Sequence, residues 1–110
     1  MERILSKASI LLISLVLSSC LWASDSFWID VRSAEEYQSG HVNAAVNIPY
    51  TEIGARIREV TEDKDAAIYV YCRSGRRSGI ARETLMEAGY THVINLGGLE
   101  EAQAAAGKEP

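Results

Sequence analysis

Residues 66–88 read A-A-I-Y-V-Y-C-R-S-G-R-R-S-G-I-A-R-E-T-L-M-E-A. The front of this stretch is apolar and rich in β-branched and aromatic residues, which predicts a buried strand over Ala67–Tyr71. Its end, Ile80 to Ala88, has the composition of a helix, with Gly89 behind it as a stop. Between them lie a cysteine and three arginines within five residues of it: Arg73, Arg76 and Arg77. A buried strand that runs through a short loop into a helix is the opening of a β-α-β unit.

The same alternation extends in both directions. Phe27-Trp28-Ile29-Asp30-Val31 reads as a strand. Ser33 caps a short helix, Ala34 to Ser39, with Glu36 three residues on to complete a capping box. Ala45 to Ile48 is a second strand, stopped by Pro49. Thr51 to Val60 is expected to be helical, because Ile53, Ile57 and Val60 fall on one face. Glu62 to Asp65 is a solvated turn. Val93 to Leu96 is a last strand, Gly97-Gly98 a turn, and Glu100 to Gly107 a weak helix or frayed end. Short apolar strands alternating with helices predict an α/β fold, a small parallel sheet with helices on both faces. In such sheets ligands sit at the carboxyl ends of the strands, which is where Cys72 to Ser78 lie.

The thiolate, not the thiol, is the nucleophile. An unperturbed cysteine has a pKa of about 8.5 and is only about 3% ionised at neutral pH. In a tight loop at a helix N-terminus, the N–H groups of Arg73 to Ser78 and the helix dipole would favour the thiolate. Gly75 supplies the positive φ that closing such a loop requires. The same N–H groups can hold an anion beside the sulfur. The bland alternative is a strand-end cysteine followed by a surface turn whose arginines are solvated.

Composition narrows the rest. The chain has 110 residues, 15 acids, 11 bases and two cysteines, which predicts one acidic domain and no nucleic-acid partner. Arg3 and Lys7, the run Ile10–Leu17, apolar except Ser14, and the small residues Ser18, Ser19, Cys20, Ala23 and Ser24 follow the order of a secretory signal peptide, residues 1–23, leaving a domain over 24–110. Leu17-Ser18-Ser19-Cys20 also resembles a lipobox, which would anchor the product to a membrane through Cys20. Only seven residues separate Cys20 from Trp28, a short tether, so a soluble periplasmic product is favoured. Cleavage after Ala23 leaves 14 acids, 9 bases and Cys72 as the single cysteine. Four of those nine bases lie between residues 73 and 82. Neither a cofactor nor a metal is expected, since no ligand spacing of the usual kinds is present.

C-R-S-G-R-R-S resembles the active loop of single-domain rhodaneses, C-x-x-G-x-R-S, at Cys72, Gly75, Arg77 and Ser78. Residues 28–49 and 89–99 resemble two further blocks of that family. The resemblance implies a thiosulfate sulfurtransferase. Cys72 would take the outer sulfur of thiosulfate, hold it as a persulfide and pass it to cyanide or a thiol. Arg73, Ser74, Gly75, Arg76, Arg77 and Ser78 would bind the substrate. The common pattern points to Arg77 as the anion ligand, and the exported subgroup carries arginine at the position of Arg76, so both stand. Ala44 replaces a usual glycine, and Ala102 stands where many members have tryptophan. Asp30 and Arg32 are expected to be a structural pair, and His41 to be structural. Three alternatives remain. A phosphatase or arsenate reductase would have arginine six residues after the cysteine, where Ser78 stands. A non-catalytic binding module would typically lack the cysteine. A persulfide carrier would share the chemistry and differ in its acceptor.

Overall fold

The computed structural model describes residues 26–108. The expected signal peptide, its cleavage site and Cys20 lie outside the described residues. The elements in chain order are β1 (Ser26–Asp30), α1 (Ala34–Gln38), β2 (Ala45–Asn47), α2 (Ile53–Arg56) with a 3-10 turn (Ile57–Glu59), β3 (Ala67–Tyr71), α3 (Arg76–Glu87), β4 (Val93–Asn95) and α4 (Leu99–Ala106). The four strands form a parallel sheet in the order β2-β1-β3-β4. The expected α/β architecture is the one observed.

Side chains alternate across the sheet, and each set meets its own helices. Ile29, Val31, Ile68 and Val70 pack with Ile53, Ile57, Ala81 and Leu85, so α2, the 3-10 turn and α3 cover one face. Trp28 and Tyr71 pack with Val42 and Ala102 on the other, with Tyr69 and Leu99 against them. Tyr71 also accepts a hydrogen bond at its hydroxyl from the Val42 N–H, at 3.0 Å. Burying a side chain of this size contributes roughly 1.5–3 kcal/mol.

Three boundaries differ from expectation. The helix expected over Thr51–Val60 is one four-residue helix and a 3-10 turn. Glu52 gives it no side-chain cap, and a Cβ on Gly54 would lie 3.0 Å from Thr84 Cγ2, so this segment is set by close packing on α3 rather than by helix propensity. Helix α3 starts at Arg76, not Ile80: Gly75 adopts φ 97° and its carbonyl accepts the first helical bond from Gly79, at 2.9 Å. Arg76, Arg77 and Ser78 are therefore the first turn of a helix. The C-terminal segment is an ordered helix, with Glu101 returning to the Gly98 N–H at 3.1 Å and Ala102 fully buried. Ala102 packs there with Trp28 and Tyr71.

Candidate active site

Cys72 follows β3 at the carboxyl end of the sheet. Its backbone N–H donates to the Gly97 carbonyl at 2.9 Å, which ties the start of the loop to the turn after β4. The chain then reverses through Gly75. The Gly75 N–H lies 2.9 Å from Cys72 Sγ, and the Ser78 hydroxyl approaches the sulfur at 3.4 Å from the first turn of α3. Burial works to raise the thiol pKa. The Ser78 hydroxyl and the N–H groups of Ser78, Ser74 and Gly75 outweigh it and bring the pKa down from 9.0 to about 7. Cys72 is 1% exposed, so it is held at the floor of the loop rather than on its rim.

The three arginines have different surroundings. Arg77 donates from Nη1 and Nη2 to Glu36 Oε1 and Oε2, at 2.9 and 3.0 Å. Glu36 also accepts the Ser33 N–H at 3.0 Å, completing the capping box of α1. Arg77, with the Ser33 N–H behind it, holds the Glu36 carboxyl down at about 2. Arg73 and Arg76 are exposed and make no ion pair among the described residues. Arg76 and Arg77 sit at the positive end of a helix dipole, where each cation costs about 0.3–1 kcal/mol. Glu36 offsets one of them. The loop thus carries uncompensated positive charge, which an anion would relieve.

Arg73 also borders an open cavity of about 480 Å³, shared with Glu36, Ser39 and the Leu99–Glu101 start of α4. Ser74 is exposed on the loop. Asp30 and Arg32 lie at the end of β1 as a buried pair, closed by hydrogen bonds of 2.6 to 3.0 Å, with Arg32 Nη2 also on the Gly40 carbonyl at 2.7 Å. His41 Nδ1 donates to the Tyr37 carbonyl at 2.7 Å and its ring stacks on Tyr37.

Two residues of the site carry no sequence signal for this role. Asn95, read above as part of an apolar strand, bonds Ser78, Gly75 and Gly97 with one amide. Its place at a strand's carboxyl end was the only available hint. Glu36 announces itself as a helix-capping residue, which it is, but the partner across the site is invisible in local pattern.

Comparison with known proteins gives the family. The model of the rhodanese-like domain matches residues 17–105. The thiosulfate sulfurtransferase PspE of Escherichia coli (strain K12) is 47% identical over 95 residues, 86% of this chain and 90% of that protein. A sulfurtransferase of Allochromatium vinosum is 38% identical over 74 residues, 67% of each chain. Among solved structures, a rhodanese with anions from E. coli superposes with a TM-score of 0.68 and 51% identity, covering 70% of this chain and 91% of that one.

Proposed function

The chain belongs to the rhodanese-like family, and from that premise we propose that it is an exported thiosulfate sulfurtransferase working through a persulfide on Cys72. The observation that carries the reading is the Cys72 sulfur, buried under the Gly75 N–H at 2.9 Å and the Ser78 hydroxyl at 3.4 Å. A thiol with a pKa of about 7 supplies thiolate at neutral pH.

The thiolate attacks the outer sulfur of thiosulfate. The bond to the sulfonate sulfur breaks and its electron pair leaves with sulfite. The enzyme keeps a persulfide anion, whose terminal sulfur takes over the N–H groups of the loop. Cyanide or a thiolate then attacks that sulfur, and Cys72 leaves again as thiolate. Arg76 is the arginine we assign to the sulfonate, because the charge of Arg77 is already paired with Glu36 while Arg76 has no ion-pair partner among the described residues. Arg73 and the N–H groups from Ser74 to Ser78 complete the anion cradle.

Residues 1–23 are the signal peptide of this reading and 24–110 the sulfurtransferase, delivered to the periplasm. Relatedness to the E. coli enzyme supports the donor and acceptor classes.

The test is the intact mass of the purified protein before and after thiosulfate, beside Cys72→Ser. A gain of one sulfur atom, removed by cyanide and absent in the variant, is expected. No gain at Cys72 would overturn the reading. The same spectrum separates a Ser24 N-terminus from a lipidated Cys20.

A further inference from the structure

We propose that Asn95 is a positioning residue for sulfur transfer: it holds the Ser78 hydroxyl proton while Cys72 is a thiol and yields it to the sulfur when Cys72 ionises. The inference rests on Cys72 being the nucleophile, as proposed above.

The orientation of the Asn95 amide is fixed from both ends. Oδ1 accepts the Gly97 N–H at 2.9 Å, and Nδ2 donates to the Gly75 carbonyl at 3.0 Å. Turning the amide over would set N–H against N–H and oxygen against oxygen. The atom facing Ser78 is therefore Oδ1, which has no proton. Ser78 Oγ lies 2.7 Å from it, so the hydroxyl must donate.

A hydroxyl has one proton to give. With that proton on Asn95, Ser78 presents a lone pair to Cys72 Sγ at 3.4 Å. That arrangement fits an S–H donor and opposes a thiolate. When the thiol ionises, its proton leaves to solvent and the hydroxyl turns to the sulfur. Asn95 Oδ1 keeps the Gly97 N–H, so the exchange strands no group. Asn95 and the sulfur thus compete for one proton, and the strength of Asn95 as an acceptor tunes the ease of ionisation.

The charged groups facing the sulfur are few. Arg77 of α3 feels Cys72 electrostatically and is neutralised by Glu36 of α1. Tyr50, ahead of α2, lies near Arg77. Arg73 and Arg76 stand on the loop rim.

The test is the pH profile of Cys72 alkylation by iodoacetamide, in wild type, Asn95→Asp, Ser78→Ala and the double variant. A carboxylate at 95 holds the Ser78 proton harder and also repels the thiolate directly. Only the first effect needs Ser78. Asn95→Asp is expected to raise the apparent pKa of Cys72 by about one with Ser78 present, and by less than about half as much in Ser78→Ala. An equal rise in both backgrounds would overturn the proposal, because the charge alone would explain it. If Asn95→Asp does not fold, Asn95→Ala carries the test. It frees the Ser78 proton for the sulfur and is expected to lower the pKa only where Ser78 is present. No shift, or the same shift without Ser78, would overturn it. Alkylation needs no sulfur donor, so a failed persulfide assay and a failed cycle are separate results.

Discussion

Arg77 of α3 and Glu36 of α1, 41 residues apart in the chain, meet as a two-pronged ion pair at 2.9 and 3.0 Å. The pair joins the helix that carries the active loop to the helix that follows β1. Glu36 caps α1 with the same carboxylate, so the first helix and the loop are held as one unit. An arginine so engaged positions the loop. Its neighbour Arg76 has no ion-pair partner among the described residues and is the one we assign to the substrate.

These two arginines should therefore separate kinetically. Arg76→Ala is expected to raise KM for thiosulfate about tenfold while leaving the fold intact, the size of one charge-assisted contact. Arg77→Ala is expected to lower thermal stability by the equivalent of about 1 kcal/mol, since both partners are only a quarter exposed. Steady-state kinetics beside thermal melts would decide. The reverse pattern would return the sulfonate to Arg77.

Glu36 makes a pH prediction of definite sign. Its carboxyl is held at about 2 in the fold, below its ordinary 4.5. The stability it contributes is complete above about 4.5 and is lost as pH falls toward 2. Glu36→Gln should be less stable than wild type at pH 7, and the two should converge below pH 3. Denaturant unfolding at several pH values would show it. A gap that persists at pH 2 would assign the effect to packing instead.

The parts of this molecule legible in sequence are those with local causes. Ala67–Tyr71 is a strand because it is an apolar β-branched run, and Ser33 with Glu36 caps α1 because the capping box is a four-residue device. Cys72, Gly75 and Ser78 are legible as a motif. The first turn of α3 was hidden, because two arginines at a helix N-terminus oppose the helix dipole, and the proposed anion site would be the reason to tolerate them. Asn95 and the Arg77–Glu36 pair were hidden because both are contacts made by the topology, from β4 to the start of α3 and from α1 to α3.

Gly98 has its own consequence. A Cβ there would lie 2.5 Å from the Arg73 carbonyl oxygen and 2.8 Å from Glu101 Oε1. The side chain of Glu101 can move, but the Arg73 carbonyl belongs to the active loop. Gly98→Ala is expected to shift the loop and cut kcat/KM by at least about tenfold, with a smaller loss of stability. Unchanged activity would mean that the turn yields instead of the loop.

The sulfur itself predicts a profile. With the Cys72 pKa at about 7, persulfide loading by thiosulfate should rise about tenfold per pH unit below 7 and level off above it. Stopped-flow release of sulfite in a single turnover measures this step alone. A midpoint near that of free cysteine would show that the loop does not ionise the thiol.

The buried pair under the site gives the largest effect on stability. Asp30 is wholly buried and Arg32 is 6% exposed. They share a bidentate ion pair, with Arg32 also on the Gly40 carbonyl. Asp30→Ala leaves a guanidinium buried with one carbonyl for a partner, which costs about 3–5 kcal/mol in such sites. That is a large share of the roughly 5–15 kcal/mol a domain has in total. Replacing both residues with apolar ones of similar size, Asp30→Leu with Arg32→Met, removes the stranded charge and should recover much of the loss. Urea unfolding of the three proteins decides between the pair as an anchor and the pair as a bystander. If Asp30→Ala unfolds within about 1 kcal/mol of wild type, water has reached Arg32 and the end of β1 is looser than its hydrogen bonds imply.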